Sequence, residues 1–313
     1  SIEPAFGCMT AVTVGAFLLS LHYDSRATAV LGLLGGLLTP VLLSTGQPNT
    51  IEFFSYLVLL DAGAVAIAAR RSWFEVGCLA LAGTTILFAG WSARFYAPGR
   101  FTPVLVFVVL FYGLFAAAGE MYARMDPAIA PHLSRGMLMA NAAIWYGALS
   151  VMDTGEHHIS LFAGLLVMTW GSTVASRYLR RSLLIAAACA GSVVAYWSWM
   201  GRSYSPDVFH VHLPALTLLY VTYAAASEFC RRDDMQRPVD FSLPLLLAAA
   251  GFLHLTLAFT RAGGPHGYHR FFLGYLAVMA LGSAVFYGWR RRSLPVVAVL
   301  GGAPLPFWVW LGG

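Results

Sequence analysis

The chain has 313 residues, of which 59% are hydrophobic and only 11% are charged, and its mean hydropathy is +0.71. A soluble domain carries about 25% charged residues, so this composition excludes a soluble protein and indicates an integral membrane protein. The net charge of +5 does not indicate nucleic-acid binding, because the arginines lie at the ends of apolar segments rather than on one patch. The expected partners are membrane lipids and other membrane subunits.

Twelve apolar runs follow one another along the chain, and each is close to the roughly 20 residues that a membrane-spanning helix needs. We therefore predict an all-α, polytopic membrane protein with about twelve transmembrane helices. In chain order the runs are Pro4–His22, Ala27–Leu43, Ile51–Ala69, Trp73–Phe95, Phe101–Tyr122, Leu133–Met152, Ile159–Tyr178, Leu183–Met200, Val208–Ala226, Phe241–Phe259, Phe271–Gly288 and Leu294–Leu311.

The arginines are distributed unequally between the loops. Loops after odd-numbered runs hold fourteen of them, whereas loops after even-numbered runs hold five. Because cytoplasmic loops carry the excess of basic residues, the odd loops are predicted to be cytoplasmic and both ends of this chain to lie outside. The predicted location is the bacterial inner (cytoplasmic) membrane, crossed many times.

Several short sequences recur along the chain. Arg-Arg-Ser occurs at 70–72, 180–182 and 291–293. FAAAGEMYAR at the end of the fifth run matches YAAASEFCRR at the end of the ninth. VLLDAGAV in the third run likewise matches LVMTWGSTV in the seventh and AVMALGSAV in the eleventh. The pattern predicts four-helix repeats of about 110 residues, and an even helix number makes such repeats parallel.

These repeats divide the chain into four parts. Residues 1–71 form the last three helices of a truncated repeat, 72–181 and 182–292 are complete repeats, and 293–313 form a single C-terminal helix. Because the chain starts and stops within a repeat, we expect it to be a piece of a longer protein.

Three segments of the N-terminal region resemble a known family as text. They are YDSRATAVLGLLGGLLTPVLLSTGQPN, FSYLVLLDAGAVAIAARRSW and LALAGTTILFAGW. Over about residues 20–95 they are similar to the bacterial predicted membrane protein family called domain of unknown function 2339. The resemblance implies many membrane spans and further sequence upstream. It implies no catalytic or binding residues, because the family is uncharacterised.

Asp61 stands about ten residues inside the third apolar run. At 1.5 Å per residue this places it about 15 Å below the outer surface, where a charge costs at least about 2.5–3.5 kcal/mol. One hypothesis is ion or proton handling, with His254 in the tenth run as the partner. The alternative is a protonated or hydrogen-bonded aspartate that links helices. Its repeat counterparts, Thr169 and Ala280, are not acidic.

The predicted outer loops also contain histidines, in the segments DTGEHH and DVFHVH, which include acidic residues, and in the segment HGYH. Imidazole and carboxylate are ligands for zinc, copper or iron, so one hypothesis is an outer-face metal site. The alternative is that these histidines simply suit the lipid–water interface. The candidate ligands are His157, His158, His210, His212, His266 and His269.

Three classes of function remain open. The first, which the sequence favours, is a non-catalytic scaffold or accessory subunit of an envelope membrane complex, with a lipid or pigment as the expected bound group. The second is a permease for a lipid-like or small solute that uses Asp61. The third is an outer-face, metal-dependent membrane enzyme that uses the histidines. The balance is against an enzyme, since no Ser-His-Asp order or GxSxG motif occurs.

Overall fold

The structure is a computed structural model that describes residues 2–42, 46, 49–123, 130–179 and 182–203, together with scattered residues between 214 and 285. Every regular element in this part is helical, which confirms the all-α prediction there. A short 3₁₀ turn covers Pro98–Arg100. The α-helices are α1 (Ile2–His22), α2 (Arg26–Leu42), α3 (Thr50–Arg71), α4 (Phe74–Phe95), α5 (Phe101–Ala123), α6 (Ala130–Val151), α7 (His158–Leu179) and α8 (Ser182–Ser203).

These eight helices correspond to the first eight predicted runs. Their bounds differ from the predicted ones by at most three residues, as at Leu133 against Ala130 and at Met200 against Ser203. The agreement arises because each apolar run stops where turn residues or charges follow. After α3, for example, Ser72 takes a left-handed conformation (φ 57°) and its N–H bonds the carbonyl of Ala68, a common way to end a helix.

Four helical segments are long and apolar enough to cross a membrane, by length and composition. They are Thr50–Arg71, Phe74–Phe95, Pro98–Tyr122 and His158–Ser176. Shorter apolar segments are Ala11–His22, within α1, and Arg26–Leu42. Twelve spans were predicted, so the described part of the chain shows a third of that number. Of the last four predicted runs, the structure describes only scattered residues of the ninth and the eleventh.

The chain forms two compact units, an N-terminal unit (Ser1–Gly164) and a C-terminal unit (Leu165–Gly313). In the N-terminal unit, α3 and α4 are the central helices, because α3 contacts α1, α2, α4 and α5, and α4 contacts α2, α3, α5 and α6. The helix α5 also packs along α6.

Aromatic side chains fill the interior of the N-terminal unit. The ring of Trp145 stacks on that of Phe111 at 5.2 Å between centroids and meets Phe88 edge-on at 5.3 Å. Phe54 contacts both of these phenylalanines, and it is 0% exposed, as are Phe111 and Trp145. The burial of such large rings supplies much of the packing energy of a bundle interior.

The loops of the N-terminal unit meet in two groups, one at each end. At one end Arg71 pairs with Asp24 at 3.1 Å and Arg26 with Glu75 at 3.4 Å, which joins the loops after α1 and α3. At the other end the hydroxyl of Tyr96 donates to the backbone carbonyl of Asp153, which joins the loops after α4 and α6. Successive helices therefore run in alternate directions, as the odd and even loops of the prediction require.

Candidate functional site

The carboxyl group of Asp61 lies at the middle of the N-terminal unit. Asp61 is eleven residues after the first residue of α3, Thr50, and ten before the last, Arg71, and it is 0% exposed. Thr84, at the middle of α4, donates a hydrogen bond from Oγ1 to Oδ2 of Asp61 at 2.7 Å. The sequence-based prediction of depth along the helix thus agrees with the position in α3, and the partner is a neutral hydroxyl.

The second carboxyl oxygen of Asp61, Oδ1, is buried and has no hydrogen-bond partner in the described part of the structure. The described residues also place no basic side chain in an ion pair with this carboxyl group. Its neighbours one turn away along α3, Leu57, Ala64 and Val65, are all buried and apolar. A polar group in such surroundings gains little from solvation, so its hydrogen bonds largely determine the free energy of burying it.

A second hydrogen-bonded cluster lies in the C-terminal unit. The hydroxyl of Tyr223 is 2.9 Å from Thr169 Oγ1, at the middle of α7, and 2.9 Å from Ser192 Oγ, at the middle of α8. Thr169 Oγ1 also donates to the carbonyl of Leu165 at 2.7 Å. Because a hydroxyl donates only once, Tyr223 must donate to Thr169 and Ser192 to Tyr223. All three side chains are at most 1% exposed.

Comparison with known proteins gives a match over the N-terminal half. Residues 1–156 match the family model described as predicted membrane protein (DUF2339). Over these residues, the chain belongs to the DUF2339 family. The match confirms the resemblance, and it includes the segment 20–95 in which the resemblance is strongest. No curated protein and no solved structure matches the chain.

Both Asp61 and Thr84 lie within the DUF2339 region, and the sequence analysis singled out only the first. A repeated spacing between polar residues in the sequence could have identified Thr84. Asp61 and Thr84 are 23 residues apart, and so are Thr169 and Ser192, at positions 169 and 192. The proposed partner of Asp61, His254, lies outside the described residues, so that pairing stays a prediction.

His157 and His158 follow directly after the DUF2339 region and are half-buried at the start of α7. His158 Nδ1 is 3.3 Å from Thr154 Oγ1, and the backbone N–H of His157 donates to the carbonyl of Thr154 at 2.9 Å. Among the described residues, no three His, Cys, Asp or Glu side chains are grouped so that they could hold a metal ion. The other predicted ligands, His210, His212, His266 and His269, lie outside the described residues.

Proposed function

We propose that this chain is a non-catalytic scaffold or accessory subunit of a larger envelope membrane complex. The observation that supports this proposal is the enclosure of Asp61. Its carboxyl group is 0% exposed and accepts a hydrogen bond from Thr84 on the next helix. A carboxyl group held in this way links two helices, which is a structural task, and neutral interhelical hydrogen bonds of this kind stabilise membrane bundles by about 1–2 kcal/mol in model peptides.

The scaffold is proposed to consist of parallel repeats of about 110 residues. Asp61 and Thr169 are 108 positions apart, and so are Thr84 and Ser192, from 84 to 192. The same offset relates many other buried positions, as expected if the helices of two copies present the same faces to their interiors. Pairs in which both members are buried include Leu57 and Leu165, Ala80 and Ala188, Phe88 and Tyr196, Trp91 and Trp199, Phe115 and Tyr223, and Ala118 and Ala226.

The scaffold is proposed to lie in the bacterial inner membrane with the odd loops on the cytoplasmic side. The excess of arginine in those loops supports this orientation. The ion pairs of Arg26 and Arg71, which join the loops after α1 and α3, also fit one arginine-rich face.

One observation favours a second candidate, a permease for a lipid-like or small solute. Oδ1 of Asp61 is buried without a described partner, and an intramembrane carboxyl with a free oxygen is a reasonable ligand for a proton or a cation. The metal-dependent enzyme gains no comparable support, because the described residues hold no group of metal ligands.

Purification from native membranes in a mild detergent separates the two candidates. The scaffold predicts stoichiometric membrane partners with the wild-type protein, and the same partners with Asp61→Asn, because the amide can still accept from Thr84. The permease predicts solute-dependent thermal stabilisation of the purified chain that Asp61→Asn abolishes. A chain that purifies without partners and loses solute-dependent stabilisation in Asp61→Asn would contradict the scaffold.

A further inference from the structure

The two oxygens of the Asp61 carboxyl group are not equivalent. Oδ2 accepts a hydrogen bond from Thr84 at 2.7 Å, whereas the buried Oδ1 accepts no hydrogen bond in the described structure. A carboxylate would leave Oδ1 as a buried, uncompensated negative end, which is costly. A carboxylic acid would instead make Oδ1 a donor that needs an acceptor.

Thr169, the counterpart of Asp61, indicates which atom would accept a hydrogen bond from Oδ1. Thr169 Oγ1 donates to the carbonyl of Leu165, four residues earlier in α7. The same offset of 108 positions relates Leu165 to Leu57, which lies four residues before Asp61 in α3. A backbone carbonyl has two lone pairs, so it can accept from a side chain while it holds its helical hydrogen bond. Thr85 makes the same bond to Leu81 in α4 at 2.7 Å.

The helices around Asp61 bring no described cation to it. The titratable groups on α3 and on the helices that contact α3 are Glu52, Tyr56, Arg70 and Arg71 on α3, His22 on α1, Arg26 on α2, Glu75, Cys78 and Arg94 on α4, and Tyr112, Glu120 and Tyr122 on α5, besides Glu3 and Cys8, whose side chains are not described. Among the described ones, none is bonded to Asp61. Glu52 and Arg70 are each nine residues away along α3, which is about 13 Å, and Tyr56 donates to the carbonyl of Gly36.

We propose that Asp61 is a proton-binding site that holds a resident proton on Oδ1 and donates it to the carbonyl oxygen of Leu57. The proton comes from water before the helix is enclosed, and the resulting neutral acid has one accepted and one donated hydrogen bond. Asp61 thereby replaces the hydroxyl of Thr169 in hydrogen bonding, without a net charge. This inference goes beyond the scaffold proposal, because it concerns the charge of the site and not its partners.

Infrared difference spectroscopy of the purified protein tests the proposal. The wild-type spectrum minus that of Asp61→Asn should contain the C=O stretch of one protonated carboxyl, at neutral and at mildly alkaline pH. The matched control is Asp24→Asn, because Asp24 is exposed and paired with Arg71 at 3.1 Å. Apart from the amide bands of the introduced asparagine, its difference spectrum should contain carboxylate stretches and no protonated C=O stretch.

A carboxylate stretch, and no protonated C=O stretch, in the Asp61 difference spectrum would overturn the proposal. If that carboxylate signal also changes in His254→Gln, an ion pair with His254 takes its place. Asp61→Thr gives a second reference spectrum should Asp61→Asn fold poorly, since it places the side chain of position 169 at position 61. The protonated C=O stretch must be missing in every folded Asp61 variant that lacks the acid.

Discussion

Buried polar side chains lie at the middle of α3 and α4, and again at the middle of α7 and α8. The two pairs of helices satisfy the hydrogen bonds of these side chains with different chemistry. In the N-terminal unit a carboxyl group accepts from a single hydroxyl, between Asp61 and Thr84. In the C-terminal unit three hydroxyls, those of Thr169, Tyr223 and Ser192, form a chain that ends on a backbone carbonyl. The offset of 108 positions relates Tyr223 to Phe115, which has no hydroxyl.

The difference shows what a buried polar position in a helix bundle requires. The residue type can change, provided that each donor meets an acceptor and no net charge is left uncompensated. Asp61 is then not an isolated charge in an apolar helix. It is one of two ways in which a polar side chain pairs two helices. Substitutions in the packing around the two clusters, and then within the clusters, test whether they are equivalent.

The packing of the interior should contribute more to the free energy of unfolding than either polar cluster does. Phe54 is 0% exposed and contacts Phe88, Phe107 and Phe111, so Phe54→Ala should lower the free energy of unfolding by about 3–5 kcal/mol. The matched control is Phe53→Ala, because Phe53 is only half-buried, and its effect should be clearly smaller. Denaturant unfolding of the purified protein in detergent measures both, and equal losses would show that the interior is not packed as described.

Removal of the acid should have the next largest effect. Asp61→Leu leaves the Thr84 hydroxyl without its acceptor, and such losses cost about 1–3 kcal/mol. Asp61→Asn is the control, because its amide can accept from Thr84 and donate in place of the acid. Denaturant unfolding should give a clear loss for the leucine variant and little change for the asparagine variant. A similarly large loss in both variants would show that the carboxylate charge itself is needed.

Loss of the tyrosine hydroxyl should have a smaller effect. Tyr223→Phe places at position 223 the residue type found at position 115, and it removes the hydrogen bonds to Thr169 and Ser192. Thr169 keeps its bond to Leu165, so we expect a loss of about 0.5–1.5 kcal/mol in unfolding experiments. Tyr23→Phe, at a tyrosine that is 71% exposed, should change nothing. A loss as small as that of Tyr23→Phe would mean that the Tyr223 hydroxyl does not hold the cluster together.

The first eight helices and the position of Asp61 at the middle of α3 could be predicted from the sequence, because an apolar run and a rise of 1.5 Å per residue determine both. The partner of Asp61 could not. Thr84 and Thr85 are adjacent and chemically identical, yet Thr84 bonds Asp61 whereas Thr85 bonds the carbonyl of Leu81 in its own helix. Only the way α4 packs against α3 distinguishes them, and that depends on contacts distant in sequence.

The central claim is that the clusters at Asp61 and Thr169 are equivalent, and a double-mutant cycle of Asp61→Thr and Phe115→Tyr tests it most directly. The double variant places threonine and tyrosine at the positions of Thr169 and Tyr223, beside Thr84 in the position of Ser192. We predict that Phe115→Tyr raises the thermal unfolding midpoint more in the Asp61→Thr background than in the wild type, a favourable coupling between the two sites. An equal fall of the midpoint in both backgrounds would contradict the equivalence.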